Sequence, residues 1–307
     1  MTPDEHTNQE LFLDVGDGHQ LYIQDWGNPK AKTPIIFLHG GPGSGCKDTH
    51  KQLFDPKIQR VIFHDQRGAG KSLPYGSIEH NTTAHLVEDI QKLHDHLKLT
   101  QAIIVGGSWG SCLALAYAIK HRSKIKAMVL HGIVTNSKQE TEWLTGGAFR
   151  SFFPDAWQTY LDATPKSHHA NPSAYHFKRI LGDDEQASFA SAKAFMDMDL
   201  SAMQLDDRYT PKTDDTFDGT NQRIEAHYFS NNCFLPENYI HHNTSQLTVP
   251  IYLINGRYDM ICPPQNAYTL HHLLPNSELI WTISSHRNEH EDWNIIRTLA
   301  KQLSQEG

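Results

Sequence analysis

The chain has 307 residues, with 27 lysines and arginines against 35 acids, a formal charge of 27 − 35 = −8. At 38% hydrophobic and 20% charged residues it lies in the ordinary globular range, and its longest uninterrupted apolar run, Cys112–Ile119, is far short of the roughly 20 residues a membrane-spanning helix needs. A negative chain without basic clusters is a poor nucleic-acid binder, and four scattered cysteines (Cys46, Cys112, Cys233, Cys262) with no C-x-x-C favour neither a disulfide framework nor a structural zinc site.

The acidic start, Met1-Thr2-Pro3-Asp4-Glu5-His6, leads into no apolar stretch, so no secretory signal is visible and a soluble, cytoplasmic protein is expected. Leu21-Tyr22-Ile23 reads as a short strand. Pro34–Leu38 is a β-rich run stopped by Gly40-Gly41-Pro42-Gly43, and Val61-Ile62-Phe63 is another, ending at Asp65 and the turn Gly68-Ala69-Gly70. Thr82 or Thr83 can cap a helix to about Leu97, because Leu86, Ile90, Leu93 and Leu97 recur at helical spacing. Strand Ala102–Val105, a helix from Ser108 to about Lys120 and strand Ala127–Leu130 follow. Strands apolar on both faces and separated by helices imply a parallel sheet covered on both sides.

From Val134 to Gln246 the strand runs vanish, and short helices are expected around Phe149–Tyr160, Ala187–Asp199 and Gln222–Tyr228. Alternation then resumes with strand Ile251–Ile254, a helix over Gln265–Leu274, strand Leu279–Ile283 and a last helix to about Leu303. The expected organisation is one α/β core from residues 1–133 and 247–307, interrupted by a helical cap domain over 134–246.

Gly106-Gly107-Ser108-Trp109-Gly110 is a G-x-S-x-G between a predicted strand and a predicted helix. A sharp turn there lifts a serine hydroxyl clear of the sheet, small residues on either side leave it room, and the following helix aims its positive end at the serine. A serine hydroxyl needs a base, and the base an orienting carboxylate; in α/β hydrolases the chain order is Ser, acid, His. Asp259 follows strand Ile251–Ile254, and His286 follows strand Leu279–Ile283. His290 competes for the base and Asp292 for the acid. The backbone amides of Trp109 and of Gly41, in His39-Gly40-Gly41-Pro42-Gly43, are the expected oxyanion donors. His286-Arg287-Asn288-Glu289-His290 also fits the zinc signature H-x-x-E-H, a rival that leaves the serine turn unexplained. The paired histidines His168-His169, His241-His242 and His271-His272 read as surface residues.

Together these residues resemble the proline iminopeptidases of the α/β-hydrolase fold, over nearly the whole chain. The matching motifs are the His39–Gly43 loop, Asp65-Gln66-Arg67-Gly68-Ala69-Gly70-Lys71-Ser72, Asn81-Thr82-Thr83, Gly106–Ser111, Phe153-Pro154-Asp155-Ala156-Trp157, Arg223-Ile224-Glu225-Ala226-His227-Tyr228-Phe229 and Gly256-Arg257-Tyr258-Asp259. The resemblance implies a Ser108/Asp259/His286 triad, peptide substrates with N-terminal proline, and acids of the cap that bind the substrate's free amine. Glu225 matches one such acid. The other usually ends a Trp-x-x-Trp-Glu segment; here Phe195-Met196-Asp197-Met198-Asp199 puts Asp199 in its place, one methylene shorter and without the tryptophans, with Asp197 as the alternative. Ser285 stands where the family has a glycine before the histidine. Trp109, Phe149, Phe152 and Tyr228 are candidate walls of a proline pocket, and Cys262 is expected close to the site. No metal or organic cofactor is implied. Two rivals remain: an esterase or amidase with altered cap selectivity, and a non-catalytic binding protein using the same cleft.

Overall fold

The computed structural model describes residues 7–144, 149–203, 217–287 and 290–306. In chain order the strands are β1 (Thr7–Gly16), β2 (His19–Gly27), β3 (Ile35–Leu38), β4 (Arg60–His64), β5 (Ala102–Gly107), β6 (Ile125–His131), β7 (Ile251–Gly256) and β8 (Ser277–Thr282). Among the described residues they form one eight-stranded sheet in the order β1-β2-β4-β3-β5-β6-β7-β8. β1 and β2 form an antiparallel hairpin, β2 continues antiparallel onto β4, and every pairing from β4 to β8 is parallel.

The central strands are buried on both faces because successive side chains point to opposite sides. Ile36, Leu38, Ile104, Met128 and Leu130 pack with helices α1 (Thr83–His96) and α2 (Trp109–His121). Ile35, Phe37, Ile103, Val105 and Val129 face the opposite core, which the C-terminal helix Glu291–Gln305 closes with Ile296, Ala300 and Leu303. Thr82 is the residue that caps α1, its hydroxyl accepting from the His85 amide.

Among the described residues, seven α-helices lie between β6 and β7: α3 (Lys138–Leu144), α4 (Phe149–Phe152), α5 (Pro154–Asp162), α6 (Pro172–Ile180), α7 (Glu185–Leu200), α8 (Thr220–Ser230) and α9 (Tyr239–His242). Phe149, Trp157, Tyr160, Phe177, Ile180 and Phe195 build a separate core there, while Ile224 and Tyr228 of α8 and Ile240 of α9 join the core on the sheet. The helix expected over Phe149–Tyr160 is two helices, because Pro154 starts a new one at its first turn. Helix α10 (Pro264–Leu273) covers β7, and α11 is the C-terminal helix already described. No helix among the described residues is long and apolar enough to cross a membrane.

Candidate active site

Ser108 links β5 to α2 with φ 54° and ψ −126°, a conformation that costs a non-glycine residue on the order of 1–3 kcal/mol and persists only where its surroundings enforce it. Two glycines make the turn sterically possible. A Cβ on Gly106 would lie 2.5 Å from the Gly110 carbonyl oxygen, and one on Gly110 would lie 2.1 Å from that of Leu38. The Ser108 amide donates to the His131 carbonyl (2.9 Å), while its own carbonyl accepts from the Ser111 amide (2.8 Å) and hydroxyl (2.7 Å). Pinned on both sides, the serine sits at the N-terminus of α2, whose dipole favours negative charge there.

His286 follows β8, and its Nδ1 lies 2.9 Å from Asp259 Oδ2, beyond β7. The other carboxylate oxygen of Asp259 accepts from the amides of Ile261 (3.0 Å) and Cys262 (2.7 Å), so a carboxylate only 1% exposed is held in one orientation. Burial disfavours a charged His286, but the Asp259 carboxylate and the Cys262 thiol outweigh it, and the imidazole pKa is raised well above its ordinary value. With Nδ1 committed to Asp259, Nε2 is the nitrogen left for proton transfer. Gly132 sits between imidazole and serine turn: a Cβ there would lie 3.3 Å from His286 Cε1 and 3.6 Å from the Ser108 amide nitrogen. Ser108 and His286 line one cavity of about 620 Å³.

Asp292 is also buried beside the cavity, but it accepts from the Ser284 hydroxyl at 3.2 Å. His290 is exposed at the start of α11. Residues 284–287 are not helical, so His286 and His290 do not stand one turn apart on a helix as the zinc signature requires; Asn288 and Glu289 lie outside the described residues.

Gly40, Gly41 and Trp109 border the cavity next to the serine. A Cβ on Gly40 would come within 3.8 Å of Ser108 Oγ, and Gly41 adopts φ 109°, open only to glycine. Gln66 connects the two sides of this corner. Its Oε1 accepts from Trp109 Nε1 (3.0 Å), its Nε2 donates to the His39 carbonyl (3.0 Å), and its backbone amide donates to His39 Nε2 (3.0 Å). An accepting Nε2 makes His39 the Nδ1–H tautomer, which donates to the Gly40 carbonyl at 2.9 Å.

Two acids also line the cavity, Asp199 from α7 and Glu225 from α8. Burial pushes the Asp199 pKa up to about 6, against the pull of His286 and Arg287. Burial, then the Asp199 charge, raises Glu225 well above the ordinary carboxylate range. Both keep some accessible surface because they face the cavity. Asp197 instead pairs with Lys193 at 2.9 Å and does not line the cavity.

A family model described as alpha/beta hydrolase fold matches residues 33–285. The chain is 39% identical over 274 residues to a proline iminopeptidase of Arabidopsis thaliana, covering 87% of this chain and 72% of that one. It is 38% identical over 301 residues to a proline iminopeptidase of Xylella fastidiosa (strain 9a5c), covering 96% and 94%. The chain belongs to the proline iminopeptidase family. It is a serine hydrolase of the α/β-hydrolase fold. A crystal structure of a Mycobacterium smegmatis proline iminopeptidase matches with a TM-score of 0.65 over 96% of this chain and 99% of that chain, at 17% identity, a likeness of fold.

Two expected pocket walls of this family member lie off the cavity. Phe152, at the end of the short α4, is 56% exposed and packs on Trp143. Tyr228 is fully buried behind Trp109, its hydroxyl donating to Asn81 Oδ1 at 2.9 Å, because a buried phenol needs an acceptor. Phe149 and Trp109 do line the cavity, with Phe177, Phe195, Met198 and Phe229 as further apolar walls. Sequence reasoning missed Gln66 as a clamp, although it stands in the family motif Asp65–Ser72. It also missed His131, a cavity residue at the end of β6 whose pKa burial, and then the His286 charge, lower to about 4. The paired histidines all lie outside the cavity lining.

Proposed function

We propose that this chain is a serine exopeptidase that releases proline from the N-terminus of peptides, with Ser108 as nucleophile, His286 as base and Asp259 as its orienting acid. The observation carrying this reading is a single cavity lined by the strained serine, the Asp259-bound imidazole and two half-buried carboxylates. A proline imino group arrives protonated; the Asp199 carboxylate offers it opposite charge, and Glu225, whose raised pKa the arriving ammonium lowers again, offers a second acceptor. Holding the amine there fixes the first peptide bond over Ser108, so hydrolysis is confined to the N-terminal residue.

In the first half-reaction Ser108 Oγ bonds to the prolyl carbonyl carbon while its proton passes to His286 Nε2. The amides of Gly41 and Trp109 receive the developing oxyanion. Collapse breaks the C–N bond, His286 gives its proton to the leaving amine, and a prolyl ester of Ser108 remains. Water, deprotonated by His286, then attacks the ester, and the proton returns to Ser108. No step calls for a metal or an organic cofactor. Residues 134–246 act as the cap that supplies the amine site, over a core of 1–133 and 247–307. A cytoplasmic setting agrees with four unpaired thiols.

The test is a panel of Pro-arylamide, Ala-arylamide and simple p-nitrophenyl esters, with stoichiometric labelling of Ser108 by a fluorophosphonate. The proposal expects Pro-arylamide to be strongly preferred. A preference for uncharged esters supports the esterase reading, and absence of labelling the non-catalytic one.

A further inference from the structure

Outside the cavity lining, Asp17, His80 and His85 come together. One ligating atom from each, a carboxylate oxygen and two imidazole nitrogens, lies within 4.8 Å of the other two. The three residues come from different pieces of chain: Asp17 from the turn between β1 and β2, His80 from the segment leading to α1, and His85 from the first turn of α1. We propose that Asp17, His80 and His85 bind a zinc-class divalent ion that staples the β1–β2 turn to the start of α1.

Two imidazoles and one carboxylate form a donor set suited to zinc and its neighbours in the first transition row. Tetrahedral zinc at about 2.0–2.2 Å holds its ligand atoms about 3.3–3.5 Å apart, so loading requires side-chain shifts of about an ångström. Asp17 and His80 are exposed and His85 is half-buried, which leaves room for that adjustment and for a water in the fourth position. His85 is already oriented: its Nδ1 lies 2.8 Å from Thr82 Oγ1, and coordination through Nε2 keeps that bond. The His80 and His85 rings stand edge to face, with centroids 6.0 Å apart.

The guanidinium beside the cluster is compensated by carboxylates. Arg67 Nε and Nη2 pair with Asp89 at 2.7 and 2.9 Å, a buried and internally neutral unit. Arg67 Nη1 also donates to Asp17 Oδ2 at 3.1 Å, which fixes the carboxylate and leaves Oδ1 for the ion. A second cation, Lys92, donates to the Val15 carbonyl at the start of the same turn, so Asp17, Asp89, Arg67 and Lys92 together carry no net charge and the three donors themselves supply the binding. None of the three proposed ligands lines the catalytic cavity, so the inference stands apart from the peptidase reading.

The experiment titrates the purified chain with zinc chloride by calorimetry and follows its thermal unfolding, using wild type, His80→Ala and His85→Ala. Both substitutions are outside the catalytic machinery and should leave Pro-arylamide turnover without zinc unchanged. The proposal expects an upward shift of the wild-type melting temperature at zinc on the order of 100 µM, with affinity at this site falling at least about tenfold in each variant. A second group of ligating atoms, Asp259, Cys262 and His286, lies in the active site. Zinc bound there blocks turnover equally in all three proteins, which separates the two events. The proposal is overturned if wild type shows no shift, or if both variants keep the wild-type affinity and shift.

Discussion

The Gln66 side chain ties Trp109 to the His39–Gly43 loop, accepting from the indole at 3.0 Å and donating to the His39 carbonyl at 3.0 Å. The two proposed oxyanion donors come from different segments of chain, and this amide sets their separation. Gln66→Ala should lower kcat by about 10- to 100-fold, the scale of a donor displaced by about an ångström, with KM for Pro-arylamide little changed. Steady-state kinetics check this, and an unaltered kcat would show that the corner holds its shape without the clamp.

The proposed triad makes sharper demands. Ser108→Ala should abolish turnover and fluorophosphonate labelling. Asp259→Asn leaves a hydrogen-bonding side chain beside His286 but favours the wrong imidazole tautomer, so kcat should fall by roughly 10⁴-fold. A loss below about tenfold would point to another acid, and Asp292 is the buried carboxylate next in line.

Glu225→Gln and Asp199→Asn separate amine binding from chemistry. Each should raise KM for Pro-arylamide by about 10-fold or more, the cost of one lost charge-assisted contact, while p-nitrophenyl acetate hydrolysis stays within about twofold of wild type. Equal losses on both substrates would make these acids structural.

Acid pH should act through the imidazole on both substrates and, on peptides, through the proposed amine-binding acids as well. In the proposed mechanism His286 must be neutral to take the serine proton, and its pKa is raised, so kcat/KM for either substrate should fall as pH drops through that raised value. Asp199, with its pKa pushed up to about 6, takes up a proton as pH falls through that region, and its attraction for the substrate ammonium disappears. Profiles of kcat/KM should therefore be steeper on the acid side for Pro-arylamide than for the ester. Parallel profiles would remove Asp199 from amine binding.

Cys262 is buried beside His286 and lines the cavity, and burial pushes its thiol pKa up to about 11. Its alkylation should be slow at neutral pH, speed up roughly tenfold per pH unit between about 7 and 9, and block turnover in step with labelling. Mass spectrometry paired with activity checks the correlation. Full modification with turnover intact would falsify the placement of Cys262 beside the reacting groups.

The central strands and the serine turn were legible because their cause is local. Runs such as Ile35–Leu38 and Ile103–Val105 have no polar face, and Gly106 and Gly110 stand where any side chain would strike backbone. Asp259 and His286 were legible because strand ends converge on one edge of a parallel sheet. Strand β1 was missed: its outward residues are mostly exposed, and its pairing with β2 depends on a turn rather than on an apolar run. Cavity walls were the hardest to read. Phe149 and Phe152 are three residues apart on one short helix, yet one is buried and the other faces solvent, a difference set by how α4 meets its neighbours. Nothing local distinguishes Tyr228 as a residue behind the wall; its place follows from the distant acceptor Asn81.

The helices that bear Asp199 and Glu225 enter and leave the chain between β6 and β7, whereas Ser108, Asp259 and His286 are all fixed outside that interval. Under the proposed function, reactivity and selectivity therefore fall in separate stretches of the chain. A lineage can replace the recognising module through ordinary insertion and drift, acquiring a new diet without ever rebuilding the engine that cuts.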